Sequence, residues 1–282
     1  MIKISVITPF YNGSRYVSKC IENIQEQSYK GFEHIIVDDG SAESEHKFIS
    51  DAIAKYPNVI LVSQKNRGQA SAVNAGIKMA KGEYIAFCDQ DDWWLSEKLQ
   101  KQIAYLESHP GVDMVYSDAY LGDEKGSVLE KTWMQSRRVV ACEGGYDNCV
   151  VNLFRRNFVC APLVMLIRKN VFDKIGLMRE AYTSAYDYDF LFRYFEGGHS
   201  VGFIDQSLAV WRMHAGQESE NIRKAKRFQL GILYNFLLRR PNFILKHPIL
   251  IAQKGCFTMV GLFLNKSRYL KTQDQLKIGY FF

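Results

Sequence analysis

The sequence predicts an α/β fold, a mostly parallel sheet flanked by helices, with a helical extension at its C-terminal end. Three observations carry this reading. Short β-branched or aromatic runs alternate with helical periodicity through the first 120 residues. The runs are apolar on both faces, as parallel strands covered on two sides are. Glycine or proline closes the helical stretches between them. In order, residues 4–8 form a first strand, and Tyr16, Val17, Cys20, Ile21 and Ile24 stripe a first helix. Strands follow at 34–38 and 59–64. Ala70, Val73, Ala75, Ile77 and Ala80 mark a second helix ended by Gly82, and residues 84–88 form a fourth strand. Leu99, Ile103 and Leu106 make a third helix closed by Pro110, before a strand at 113–117. Strands alternating with helices imply βαβ units joined by right-handed crossovers.

From about 120 to 160 the pattern weakens, with Gly122, Gly126, Gly144 and Gly145 among Arg137-Arg138 and Arg155-Arg156. This segment reads as loops with short elements, a lid or an acceptor-side wall. A strand at 161–167, a short helix at 170–175 and a helix at 187–196 ending at Gly197-Gly198 come next.

The chain has 282 residues, 47% hydrophobic and 23% charged, which excludes disorder and suits a large core. No run of eighteen apolar residues obliges a membrane span, and the strand-like start lacks signal-peptide order, so a cytoplasmic protein is expected. The six cysteines are scattered without a Cys-x-x-Cys pair and are expected to be reduced and structural. The net charge of +6 is unevenly divided. Residues 1–220 hold 24 Lys+Arg against 29 Asp+Glu, whereas residues 221–282 hold 12 against the single Asp274. The charge division predicts two parts, an α/β domain over 1–220 and a basic amphipathic helical tail over 221–282. Such helices suit an anionic membrane surface, or they dock on the domain and expose their basic faces. The charge excess favours the membrane. The basic charge is confined to the tail and the sheet rim is acidic, so no nucleic acid is expected as a partner.

Ligands of open α/β sheets bind outside the carboxyl ends of the parallel strands. Four loops gather at that rim: Thr8-Pro9-Phe10-Tyr11-Asn12-Gly13, Asp38-Asp39-Gly40-Ser41, Asn66-Arg67-Gly68 and Asp89-Gln90-Asp91-Asp92. Three carboxylates within four residues repel one another unless a cation intervenes. Hard oxygen ligands select Mg²⁺ or Mn²⁺, which complete their shells with water and substrate phosphates. The competing reading is an acidic turn in which Asp92 or Ser96 caps the next helix. Its place at the end of a buried strand favours the metal. No Gly-x-Gly-x-x-Gly, Gly-x-x-x-x-Gly-Lys-Ser/Thr or Gly-x-Ser-x-Gly motif is present where a dinucleotide, P-loop or hydrolase site would need one.

These residues, in this order, resemble glycosyltransferase family 2, with its GT-A, Rossmann-like fold, over roughly residues 3–220. The resemblance rests on Ser5-Val6-Ile7-Thr8-Pro9-Phe10-Tyr11-Asn12, Val37-Asp38-Asp39-Gly40-Ser41, Asn66-Arg67-Gly68 with Asn74-Ala75-Gly76, and Gly82-Glu83-Tyr84-Ile85-Ala86-Phe87. Asp89-Gln90-Asp91-Asp92, Tyr186-Asp187-Tyr188-Asp189 and Trp211-Arg212-Met213-His214 complete it. It implies inverting transfer of a sugar from a nucleotide diphosphate, a UDP-sugar first, to a hydroxyl of a saccharide or lipid-linked acceptor in cell-surface polysaccharide synthesis. By resemblance, Pro9 and Tyr11 line the nucleotide pocket, Asp39 meets base or ribose, and Arg67 approaches the nucleotide or diphosphate. Asp89 and Asp91 form the Asp-x-Asp motif, with Asp91 the direct ligand of Mn²⁺ or Mg²⁺. Arg212 and His214 match a late basic motif at the diphosphate or the metal. Inversion needs a base opposite the leaving group, and Asp187 matches it, although Tyr186 stands where the family has glutamate. Val73 and Ser96 are further departures, where relatives carry arginine and proline. Asp189 is a rival base, but two residues along a helix it faces elsewhere. Trp93 is the candidate acceptor contact, against the alternative of a core indole. Two other classes stay open on residues alone: metal-dependent nucleotidyl transfer, and a non-enzymatic membrane-surface module. With the glycosyl-transfer reading the protein would work in the cytoplasm, on the inner face of the cell membrane.

Overall fold

The computed structural model describes residues 2–215, 217 and 222–254. Four parallel strands form one half of a nine-stranded sheet: β1 (Ile4–Phe10), β2 (Phe32–Asp38), β3 (Val59–Ser63) and β4 (Tyr84–Phe87), in the order β3-β2-β1-β4. Helices α1 (Ser14–Gln25), α2 (Glu43–Ile53) and α3 (Gln69–Met79) make the crossovers. β1 is buried at every position, which is why its sequence lacks polar alternation. Strand order reverses between β1 and β4, so the loops leaving these two neighbours flank the crevice where such sheets bind ligands.

The second half is mixed. After β5 (Trp93–Trp94) and α4 (Lys98–Ser108) come β6 (Met114–Gly122), β7 (Val128–Thr132), α5 (Trp133–Arg137), α6 (Tyr146–Arg155), β8 (Met165–Arg168), α7 (Asn170–Ile175), α8 (Tyr186–Glu196) and β9 (Val201–Arg212). The sheet continues β4-β8-β6-β9-β5, with β8 antiparallel to both neighbours, β9 parallel to β6, and β7 paired with β6. The strand expected at 161–167 starts later, because Pro162 opens a 3-10 turn over Pro162–Val164 and only Met165–Arg168 pairs. The segment 120–160, read as loops with short elements, holds the end of β6, β7, α5 and α6, the last a ten-residue helix. Gly126 and Gly144 do take positive φ at turns, yet Cys149, Val150, Leu153 and Phe154 just beyond them form a buried helical stripe.

Two glycines set how closely layers approach. A Cβ on Gly76 in α3 would lie 2.5 Å from Ile7 Cγ2 of β1, and one on Gly82 would lie 2.6 Å from the Ser5 backbone nitrogen.

The described part of the tail docks on the domain. In α9 (Ile222–Arg239), Ile232, Leu233 and Phe236 are buried, as is Phe243 of α10 (Pro241–Lys246). Phe236 packs within 4.8 to 6.1 Å, centroid to centroid, of Phe192 of α8, Phe243 and Phe154 of α6. Arg239 and Arg240 both pair with Glu196. Helical residues 248–254 follow, and residues 255–282, with Cys256 and most of the apolar stretch 249–264, lie outside the described residues. The five described cysteines are free. Among the described residues no helix is long and apolar enough to cross a membrane.

Candidate active site

The rim loops are tied together by side chains rather than by the sheet alone. Gln90 accepts from the Tyr11 backbone N–H at 2.9 Å and donates to its carbonyl at 3.3 Å, joining the loops after β1 and β4. A Cβ at Gly13 would collide with that amide at 2.2 Å, so the glycine leaves room for Gln90. Pro9 is buried in β1, and Tyr11 beside it is half-exposed at the rim. Asn12 takes φ of 45° and closes onto the next loop, its side chain accepting from Ala42 N–H at 2.9 Å.

Asp39 is buried, and both of its carboxylate oxygens face the loop after β3. One accepts from Gln64 Nε2 at 2.7 Å and from Arg67 N–H at 2.9 Å; the other accepts from Gly68 N–H at 2.8 Å. Gly68 has φ of 88°, a conformation only glycine adopts without strain. Asp39 thus shapes the loop that carries Arg67, whose exposed guanidinium reaches Glu180 at 2.9 Å.

The acidic motif leaves the end of β4. Asp89 accepts from Gln69 Nε2 at 2.8 Å, and burial followed by the charges of Asp91 and Asp187 pushes its pKa up to about 7. Asp91 meets His214 Nε2 at 2.7 Å, a contact spanning 123 residues of sequence. That hydrogen bond raises the His214 pKa, the imidazolium being favoured beside a carboxylate. Asp92 points the other way, is buried, and accepts from Arg212 N–H at 2.8 Å; burial and then its acidic neighbours hold its pKa well above the usual range. The third carboxylate is therefore structural.

Arg212 differs from expectation. It is 5% exposed, and its guanidinium donates to the Asp91 carbonyl at 2.7 Å and the Glu124 carbonyl at 3.1 Å. It lies 4.9 Å from the Tyr16 ring centroid and 4.6 Å from that of Trp93. It shapes the acidic loop from behind. Trp93 is 7% exposed, with Lys19 Nζ also 4.9 Å from its centroid, and its ring fills the space over Gly122. The expected acceptor stack would need a ring face that this packing covers.

Asp187 is the second residue of α8. Burial raises its pKa to about 6 against the opposing pull of backbone N–H groups in the first turn. Its charge is one of the smaller influences that raise the Asp89 pKa. Asp189 is instead buried between Arg193 Nε at 2.8 Å and Arg179 at 3.1 Å. Gln69, Gln90 and Glu180 escaped the sequence reading. Gln90 lies inside the acidic motif and Gln69 directly follows Asn66-Arg67-Gly68, but amides carry no charge pattern to single them out.

Among the described residues no group of three or more metal-ligating side chains is clustered. The pair Asp91 and His214 supplies a hard carboxylate and an imidazole at one point, with Asp89 adding charge nearby. That donor chemistry fits Mn²⁺ or Mg²⁺ when phosphate oxygens and water complete the shell.

A mixed α/β sheet flanked by helices, with an acidic loop leaving β4 at its rim, has the architecture of the GT-A fold. The family model described as Glycosyl transferase family 2 matches residues 5–176, and the chain belongs to that family. An uncharacterized glycosyltransferase of Rickettsia prowazekii is 28% identical over 99% of this chain and 87% of its own length. Among solved structures, Staphylococcus aureus TarS in complex with UDP-GlcNAc aligns with a TM-score of 0.65 at 19% identity, over 84% of this chain and 67% of that one. A longer TarS chain is covered to 43%. The mannosyltransferase PcManGT of Pyrobaculum calidifontis, in complex with GDP-Man and Mn²⁺, aligns with a TM-score of 0.62 at 19% identity, over 89% and 69%. The protein is thus a glycosyltransferase, which sets aside nucleotidyl transfer and the non-enzymatic module.

Proposed function

We propose that the protein transfers a sugar with inversion from a nucleotide-diphosphate donor, a UDP-sugar first, to a hydroxyl of a saccharide or lipid-linked acceptor. The work would serve cell-surface polysaccharide synthesis at the inner face of a membrane. The observation that carries this reading is the 2.7 Å contact between Asp91 of the acidic loop and His214.

Tyr11 and Pro9 offer a wall for the base, and Arg67 an exposed cation near the nucleotide. Asp39 serves by holding the Arg67-Gly68 backbone, with one lone pair left on Oδ2 for a ribose hydroxyl. Asp91 and His214 would hold Mn²⁺ or Mg²⁺, which when bound neutralises charge on the departing diphosphate. Asp187 takes the proton of the acceptor hydroxyl as that oxygen bonds to the anomeric carbon. The bond from that carbon to the diphosphate oxygen breaks, and the electron pair leaves with the nucleoside diphosphate. A base with a pKa near 6 is mostly ionised at neutral pH yet still basic enough to accept a proton. The UDP-GlcNAc and GDP-Man complexes of TarS and PcManGT support a nucleotide-sugar donor, and the Mn²⁺ of the latter supports a divalent metal.

The test is calorimetric binding of UDP, GDP and dTDP, each with Mn²⁺ and with EDTA. One nucleotide should bind in a metal-dependent way, and Asp91→Ala should abolish both the metal dependence and sugar-nucleotide turnover. Undiminished turnover in folded Asp91→Ala would remove Asp91 from the metal site.

A further inference from the structure

An amphipathic helix that docks on a domain needs only its buried face to be apolar, yet α9 also carries large exposed apolar side chains among the basic residues of its other face. Ile232, Leu233 and Phe236 face the domain and are buried. On the opposite side Arg223, Arg227, Tyr234 and Leu238 recur at spacings of four, seven and four, which keeps them on one helix face. All four are exposed, Tyr234 by 64% and Leu238 by 62%. The segment beyond repeats the division. Phe243 and Leu250 are buried, while Leu245 is 80% and Ile249 is 73% exposed, with the exposed Lys246 between them.

A run of large exposed apolar side chains calls for a covering partner, and charge selects it. Residues 222–254 contain eight Lys and Arg and no Asp or Glu. A second copy of this surface would bring like charge against like. Residues 255–282 are also net basic, with Lys266, Arg268, Lys271 and Lys277 against Asp274. An anionic lipid leaflet complements both features at once, taking apolar side chains at the headgroup boundary and cations at its phosphates.

We propose that the outer face of α9, α10 and residues 248–254 seats on an anionic bilayer surface, with Leu238, Leu245 and Ile249 entering the headgroup boundary and Arg223, Arg227 and Lys246 meeting lipid phosphates. This deepens the reading above, on which it rests, that the acceptor is presented at a membrane. The docked face is joined to the candidate base. Asn235 of α9 donates to the Tyr182 hydroxyl at 2.9 Å, and Phe228 packs edge-on to Tyr182, five residues ahead of Asp187.

The experiment floats the full chain through a density gradient with vesicles of phosphatidylcholine alone, or of phosphatidylcholine and phosphatidylglycerol in equal parts. The protein should float with the anionic vesicles only, and less so in high salt. The combined variant Leu238→Ser, Leu245→Ser, Ile249→Ser should lower the floated fraction roughly tenfold, with metal-dependent nucleotide binding unchanged as the sign of an intact fold. The proposal is overturned if the wild type stays at the bottom of the gradient, or if the triple variant floats equally. It is overturned too if light scattering finds a wild-type dimer that the triple variant converts to monomer. Loss of nucleotide binding alongside intact flotation would instead count against the donor reading and leave the docking surface standing.

Discussion

At the residue scale, two aspartates two positions apart have opposite roles, and their surroundings decide which is which. Burial favours the protonated form of Asp187, and its pKa of about 6 lies above the ordinary value. The ionised form is the one that accepts a proton, so kcat/KM should fall as pH drops through about 6; a profile flat down to about pH 5 would remove Asp187 as the base. Asp187→Asn should lower kcat by about 10²- to 10⁴-fold while nucleotide affinity is kept. The sign for stability runs the other way. A carboxylate whose folded pKa is raised costs stability above that pKa, so Asp187→Asn should leave stability at neutral pH unchanged or increased. Asp189 is held by two arginines, and removing one member of a buried ion pair costs about 3–5 kcal/mol. Asp189→Ala should therefore show its effect in urea denaturation. Sequence periodicity placed both residues on a helix and separated their faces, but the arginine partners lie in different elements and only folding assembles them.

At the element scale, α3 lies against β1 because Gly76 has no side chain to hold it off. Gly76→Ala would bring a carbon to 2.5 Å from Ile7 Cγ2, and overpacking of this kind costs about 1–3 kcal/mol. Equilibrium denaturation of the variant should show that loss, and unchanged stability would mean the helix can shift away without cost. The neighbouring rim loops, Asn66-Arg67-Gly68 and the acidic motif, would feel such a shift through the Gln69–Asp89 hydrogen bond. Strands β1, β2 and β4 were legible in the sequence because each is rich in β-branched, aromatic or other apolar residues and is buried at every position. β9 was not, since Asp205 and Gln206 are exposed at its middle and its pairing with β6 shifts register near Asp118. β7 was hidden for a simpler reason: its residues are nearly all exposed, so no hydrophobic pattern marks them.

At the scale of the whole molecule, the described tail completes the core. Phe236 is fully buried among Phe154, Phe192 and Phe243, and Phe236→Ala should cost about 3–5 kcal/mol in unfolding free energy. Near-wild-type stability would show that α9 is held by its Glu196 ion pairs instead. Deleting everything after residue 220 would uncover the same aromatic cluster, so loss of solubility is the expected outcome, rather than simple release from a membrane. Docking on the domain and basic amphipathicity had been alternatives for this segment. The structure gives docking one face of the helix and, among the described residues, leaves Tyr234 and Leu238 of the other face exposed.

Strand and helix periodicity, the acidic spacing of Asp89 and Asp91, and the charge division near residue 220 are local properties, and the sequence by itself determined the α/β class, the family and the rim where the chemistry lies. The tertiary structure alone decided that His214 meets Asp91, that Arg212 turns inward to hold the acidic loop, that Trp93 is packed away, and that Asp187 lies near enough to influence Asp89. The reason is physical. A side chain's burial and charge partners come from residues distant in sequence, and spacing along the chain carries no record of them until the sheet brings those residues together.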